Sequence, residues 1–384
     1  MKDISIYTLT SQLHDEKAVS ANTQAFLSSL NIEYDLRGAD FSDYGQAVLS
    51  LIYVRTGGTE GIFKSLLPQI KQSGKPVYLL TSGTSNSLAA SMEILSFMQQ
   101  NHMQGEILHG SAQYIGSRIE NLIRLEQARL QLQGCRLGVI GQPSDWLISS
   151  AADYEAVRNR LGIEIVDIPL DEVLTALGTT QIDGGKEGAL LIYEALRKVV
   201  DKYQLRGFTL RCFDLLSVLH NTGCLALARL NAEGLVAGCE GDVPAMLSMI
   251  VVRSLFGISG FQCNPAHIDV ETGEMMLAHC TIPLDMVIRY ELDTHFESGI
   301  GVGIRGYMPE GPVTLFKVSG DLTRHFVAEG QLLRCEARPN LCRTQAVVQL
   351  SNPQGARYFL THPIGNHHIL LPGHHASLLS SLLS

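Results

Sequence analysis

Short runs rich in Ile, Leu, Val and Tyr alternate with longer amphipathic stretches through the first third of the chain. "ISIYTL", "AVLSLIYV" and "PVYLLTS" read as strands, while residues 15–31, 58–73 and "SLAASMEILSFMQQN" read as helices. Such a rhythm predicts a parallel sheet covered by helices on both faces, with right-handed crossovers. A longer, more polar helical pattern over 111–133 ends at Gly134 and reads as a bridge. The alternation then restarts, with "RLGVIG", "GIEIVDIPL" and "GFTLRCFDLL" as strands and 185–203 as an amphipathic helix. After Pro283 the texture changes. "PVTLFKVSG", "HFVAEGQLL", "QAVVQLSN" and "ARYFLTH" are short alternating runs broken by Gly, Pro and Asn, the pattern of an antiparallel barrel or sandwich, and "HASLLSSLL" adds a last turn of helix. The pattern therefore predicts an α/β domain over 1–133, a second α/β domain over 134–285 and an all-β unit over 286–384.

A formal charge of −9, with no basic run longer than two residues, argues against nucleic acid or an anionic membrane as partner. Small molecules are the expected clients. The eight cysteines form no C-x-x-C pair and are read as reduced thiols, the N-terminus lacks a signal-length apolar stretch, and no segment has the ~20 apolar residues of a membrane span. The expected location is the cytoplasm.

Chemistry enters at "LVAGCEGDVPAMLSMIVV", where Glu240 and Asp242 stand between two apolar runs. Buried charges are costly unless paired or bound to metal. Asp242 has a local explanation as the N-cap of the helix that follows, with Pro244 in its first turn. A cap does not account for Glu240. His279 ends the apolar run of "MMLAHC", and in "GNHHILL" His367 and His368 sit where a turn enters an apolar strand, so at least one ring must face inward and find a partner. Glu240, His279 and His367 make an oxygen-and-nitrogen set suited to a divalent ion of the Mn²⁺ class. His374 and His375 read as solvated surface. "GVGIRG" matches the dinucleotide fingerprint by letter but is followed by "YMPEGPV", whose prolines forbid the required helix, so it is expected to be a glycine-rich turn or a sugar-contacting loop. The small-residue loops "LTSGTSNSLAAS" and "RTGGTEG" are read first as capped helix starts.

With these residues in hand, the chain resembles the superfamily of L-fucose and L-arabinose isomerases. The resemblance lies in the order of "LRCFDLL", "GCLALARLNAEGLVAGCEGD", "LAHCTIP", "GPVTLFKVSG" and "GNHHILLPG" over roughly 205–375, and in the rhythm of the N-terminal half. It implies two Rossmann-like, doubly wound α/β domains and a C-terminal antiparallel β-barrel, assembled as trimers or hexamers. It also implies aldose–ketose isomerisation through an enediol at a divalent metal, commonly Mn²⁺. On this sequence Glu240 would be a metal ligand or proton carrier, His367 a metal ligand, and His279 a contact to metal or sugar. Where the family places its second acid, Cys263 and Asn264 stand, with Asp269 in what reads as a hairpin turn. Asn264 is then expected to contact a hydroxyl, with Asp242, Cys263, Arg305 and His368 as further substrate contacts. The alternatives are an isomerase of an acidic or modified sugar, with Arg305 or Arg211 meeting the anion, and a non-catalytic sugar-binding or regulatory protein.

Overall fold

A computed structural model describes residues 2–383. They form two compact units, 1–127 and 128–384 by sequence, and the division falls within the helix Ala112–Leu132.

The first unit holds five strands, β1 (Ile4–Leu9), β2 (Asp35–Gly38), β3 (Leu49–Val54), β4 (Val77–Leu80) and β5 (Gly105–Leu108). They pair in parallel in the order β2-β1-β3-β4-β5, with the helices Glu16–Ser29, Glu60–Gln72 and Ser87–Gln100 in the connections. Every residue of β1, β3 and β4 is buried, which is why these strands read as mostly apolar runs, with Ser5, Thr8 and Ser50 also inside, and not as alternation of buried and exposed positions. The strand order is that of an open doubly wound sheet.

The second unit begins with another parallel sheet, β6 (Arg136–Ile140), β7 (Glu164–Ile168), β8 (Gly207–Leu210) and β9 (Val236–Cys239), in the order β7-β6-β8-β9. The switch in strand order lies between β6 and β8. Open sheets of this kind bind ligands beyond the carboxyl ends of their strands at such a point.

A closed antiparallel barrel follows. Its strands are β10 (Phe261–Ile268), β11 (Glu274–His279), β14 (Gly311–Val318), β15 (His325–Glu336), β16 (Thr344–Leu350) and β17 (His368–Pro372), in the order β10-β11-β16-β15-β14-β17. Pairing of β17 with β10, through Cys263 and His368, closes the ring. β12 (Arg289–Asp293) and β13 (Gly303–Tyr307) form a separate two-stranded sheet.

Three local differences from the sequence pattern stand out. The barrel takes in β10 and β11, so it starts before the change of texture at Pro283; β11 buries all but its first residue and so resembles the parallel strands before it, while β10 is buried only over Phe261–Cys263. "ARYFLTH" is helical over Arg357–Thr361, entered through a 3₁₀ turn that Asn352 caps and Pro353 begins. The apolar run "GFTLRCFDLL" splits into β8 and the helix Phe213–Leu219, a break that brings Phe213 out at the end of the sheet. "GVGIRG" enters β13 and opens no helix.

Candidate metal centre

Glu240 directly follows β9. Its φ of +65° lies in the left-handed region, costly for a residue with a Cβ, and Gly241 continues the turn at +69°. Only glycine fits at 241, since a Cβ there would overlap the Gln142 carbonyl and the Pro143 Cα. The loop after β6 is thereby held against this turn, with the Ser144 amide donating to the Glu240 carbonyl at 3.0 Å. That loop carries Trp146, whose indole N–H donates to Glu240 Oε2 at 2.7 Å.

Asp242 ends the turn and caps the helix Val243–Phe256, accepting from the Ala245 amide at 2.7 Å. It is fully buried and has two further partners. Lys317, itself buried in β14, places Nζ 3.3 and 3.4 Å from its two oxygens, and His367 Nδ1 lies 2.8 Å from Oδ2. An N–H on Nδ1 leaves the lone pair of His367 on Nε2, which is buried, has no hydrogen-bond partner, and lies 3.5 Å from Glu240 Oε1. His279 is oriented the same way: Nδ1 is 3.0 Å from Thr281 Oγ1, and Nε2 is 3.5 Å from the same Glu240 oxygen. The two imidazoles meet edge to face, centroids 5.3 Å apart.

Glu240, His279 and His367 thus each bring one ligand atom to a place where all three lie within 4.8 Å of one another. Two imidazole nitrogens and one carboxylate oxygen are donors that a divalent transition ion accepts, and the orphaned Nε2 of His367 is what a missing ligand partner would leave behind.

The electrostatics fit the same assignment. Burial would raise the Glu240 carboxyl, but His279 and His367 outweigh it and hold it well below the usual carboxylate range. Burial likewise opposes the Asp242 charge, yet Lys317 and His367 bring that carboxyl down to about 2. Burial pulls His367 down, while Asp242 and Glu240 together raise it to about 9. Without an ion the cluster is an imidazolium held between two carboxylates.

The other residues singled out in the sequence occupy different places. Asn264, in β10, pairs with Ala278 beside His279, and its Oδ1 is buried without a partner. Cys263 belongs to the apolar core shared by the barrel strands, its thiol 3.4 Å from the His368 carbonyl. His368 packs among Phe326, Tyr358 and Phe359 and bonds the Tyr358 hydroxyl at 3.1 Å, and burial pushes its imidazole down to about 3. Its ring is therefore part of the interior and is not joined to the cluster. Asp242 contacts His367, Lys317 and a helix end, and no open space. Arg305 pairs with Asp293 at 3.1 Å, and Arg211 is occupied by Asp145, Asp214 and the Pro143 carbonyl. Asp269 forms the expected hairpin turn, accepting from the amides of Glu271 and Thr272.

Residues that sequence reasoning missed complete the surroundings. Lys317 had one signal, a lone cation inside the apolar run "VTLFKVSG". Phe213 stands edge-on to Trp146 at 4.8 Å and to His295 at 5.4 Å, a wall that nothing in the spacing of these residues announces.

No family model matches the chain. It is similar to proteins named sulfoquinovose isomerase: 23% identical over 261 residues to that of Alkalicoccus urumqiensis, covering 61% of this chain and 59% of the relative. The similarity to those of Priestia aryabhattai and Priestia megaterium is 23% over 270 residues, covering 63% of this chain and 60% of each relative. The chain thus spans about 60% of the length of the curated relatives it matches. These relatives are sugar isomerases by name, and a parallel α/β sheet, a closed barrel and a three-residue candidate metal site are compatible with that class of enzyme.

Proposed function

We propose that this chain is a divalent-metal-dependent sugar isomerase that interconverts an aldose and a ketose through an enediol, on a sugar bearing an anionic substituent. The observation that carries the reading is the convergence of Glu240 Oε1, His279 Nε2 and His367 Nε2, with Asp242 and Thr281 holding the far nitrogens of both imidazoles. These three residues would hold the ion, and Mn²⁺ suits the donor set. The ion supplies polarisation of the sugar oxygens at C1 and C2. The chain's own residues do the rest. Trp146 keeps Glu240 Oε2 occupied, which leaves Oε1 to face the imidazoles. The indole, half exposed, offers a flat apolar face to a sugar ring. Asn264, beside the His279 strand, offers an amide to a hydroxyl where a second carboxylate is lacking.

An anionic substrate is supported by what the relatives' names say they act on, and by local charge. Arg305 and Arg343 both lie beside the carboxylate of Asp293, at 3.1 and 3.5 Å, and concentrate positive charge there. Arg343 precedes Thr344, the strand partner of His279. Assembly as a homo-oligomer, trimer or hexamer, and a cytoplasmic location belong to the same reading.

The test is metal analysis of the purified protein, followed by a screen of aldoses and ketoses with Mn²⁺ present, sulfoquinovose and other anionic sugars beside their neutral parents. Metal-dependent turnover that favours anionic sugars is expected. A protein that neither binds Mn²⁺ nor converts any of them would overturn the reading.

A further inference from the structure

An enediol isomerisation needs a group that takes a proton from carbon, and the residues at the centre are poorly placed to be that group. The Glu240 carboxylate is engaged by two imidazoles through Oε1 and by an indole through Oε2, so neither oxygen is free to face a carbon acid. Asp242 is sealed behind His367. Asn264 cannot accept a proton. His279 and His367 direct their Nε2 atoms at Glu240.

One more imidazole stands at this place. His295 lies just beyond β12 in a tight loop, its amide donating to the Ile300 carbonyl and its own carbonyl accepting from Gly299. Its Nδ1 is fixed 3.0 Å from Ser298 Oγ, and among the described residues its Nε2 makes no hydrogen bond. Two independent chains of contact tie it to the two ends of the cluster. Through the backbone, the Ile304 amide donates to the carbonyl of Cys280, next to His279, and a Cβ on the neighbouring Gly303 would sit 3.3 Å from the His295 Cα. Through side chains, His295 abuts Phe213, Phe213 abuts Trp146, and Trp146 bonds Glu240. The residue is 7% exposed, and burial, then the charge of His279 and of Arg343, hold its imidazole below the ordinary value against the opposing pull of Glu240.

We infer that His295 is a catalytic residue of this site, its Nε2 carrying the proton between C2 and C1 of the sugar; the assignment rests on the isomerase reading above. In the aldose-to-ketose direction the C2–H bond breaks and its proton goes to Nε2. The bonding pair forms the C1=C2 double bond, and the carbonyl pair moves onto O1, which takes a proton. The imidazolium then returns its proton to C1, using the C1=C2 pair, while O2 loses its proton and C2=O forms. The proton released by O2 balances the one gained by O1, and no oxidant or reductant is needed.

The experiment is His295→Gln in the Mn²⁺-loaded full chain, with His295→Asn as a second variant should the first fail to fold. Gln keeps a polar atom near the position of Nε2 but cannot carry a proton, so kcat should fall by roughly 10²–10⁴-fold. KM and the calorimetric Kd for Mn²⁺ should stay within about threefold, and loss of deuterium from C2 of the substrate, whether carried to C1 or exchanged with solvent, should slow in parallel with turnover. An unchanged kcat, a loss confined to KM, or a lost Mn²⁺ affinity would each overturn the assignment while leaving the isomerase reading in place. A wild-type protein that neither turns over nor exchanges the C2 hydrogen of any sugar would bring down that reading, and the assignment with it.

Discussion

His367 Nδ1 and Asp242 Oδ2 are 2.8 Å apart, and both residues are fully buried. The same carboxylate caps a helix and balances the ammonium of Lys317. One side chain thus ends the β9-to-helix turn, compensates a buried cation and sets which nitrogen of His367 is free to bind an ion.

Asp242→Asn removes the charge opposite Lys317 and leaves that ammonium buried and unpaired. The expected loss is about 3–5 kcal/mol of unfolding free energy, the cost of breaking a buried ion pair. Mn²⁺ affinity should fall about 10–100-fold, because the amide can present its N–H side to His367 and the orientation of the ring is no longer enforced. The double variant Asp242→Asn/Lys317→Met should regain most of the stability without regaining the affinity. Denaturant titration and calorimetry separate the two effects, and full metal affinity in the single variant would contradict this role for Asp242.

Metal binding should strengthen as pH rises. In the metal-free protein His367 is raised to about 9, as Asp242 and Glu240 outweigh the effect of burial, so below that pH an incoming ion must displace a proton from Nε2. The apparent affinity should climb by up to about tenfold per pH unit between neutrality and pH 9 and flatten above it. Calorimetry at pH 7 in buffers of different ionisation enthalpy should report the released proton. An affinity independent of pH over this range would exclude His367 as a ligand.

Glu240→Gln should abolish metal-dependent turnover and lower Mn²⁺ affinity on the order of 100-fold or more. It should shift the melting temperature of the metal-free protein by only a few degrees. The amide still accepts from Trp146, and the backbone at 240 remains left-handed with either residue. Wild-type turnover in this variant would remove Glu240 from the mechanism.

Trp146 is the chain's only tryptophan, and its indole touches the candidate ligand Glu240. Its emission should therefore change on titration with Mn²⁺, a paramagnetic quencher, with a midpoint equal to the calorimetric Kd. Trp146→Phe removes the signal and the bond to Glu240 but keeps an aromatic ring against Phe213, so it should weaken metal binding severalfold without unfolding the protein. An emission that ignores saturating Mn²⁺ would place the ion elsewhere.

Sequence alone determined the features that local physics controls. Runs rich in Ile, Leu, Val and Tyr in β1, β3 and β4 announced buried parallel strands, and the Asp242–Pro244 cap announced the start of a helix. Glu240, unexplained by its neighbours in sequence, marked a position that the structure places in the candidate metal centre. Only the tertiary structure decided which side chains meet. It joined Glu240, His279 and His367 across 127 residues of chain, moved β10 and β11 into the barrel, and turned His368 away from the cluster that its neighbour His367 enters. It also brought in Lys317 and His295, which no spacing connects to Glu240. Periodicity and capping act over a few residues and are written in the local sequence. Convergence of a site depends on how strands pair and on where a barrel closes, and these are settled by packing between segments far apart in the chain.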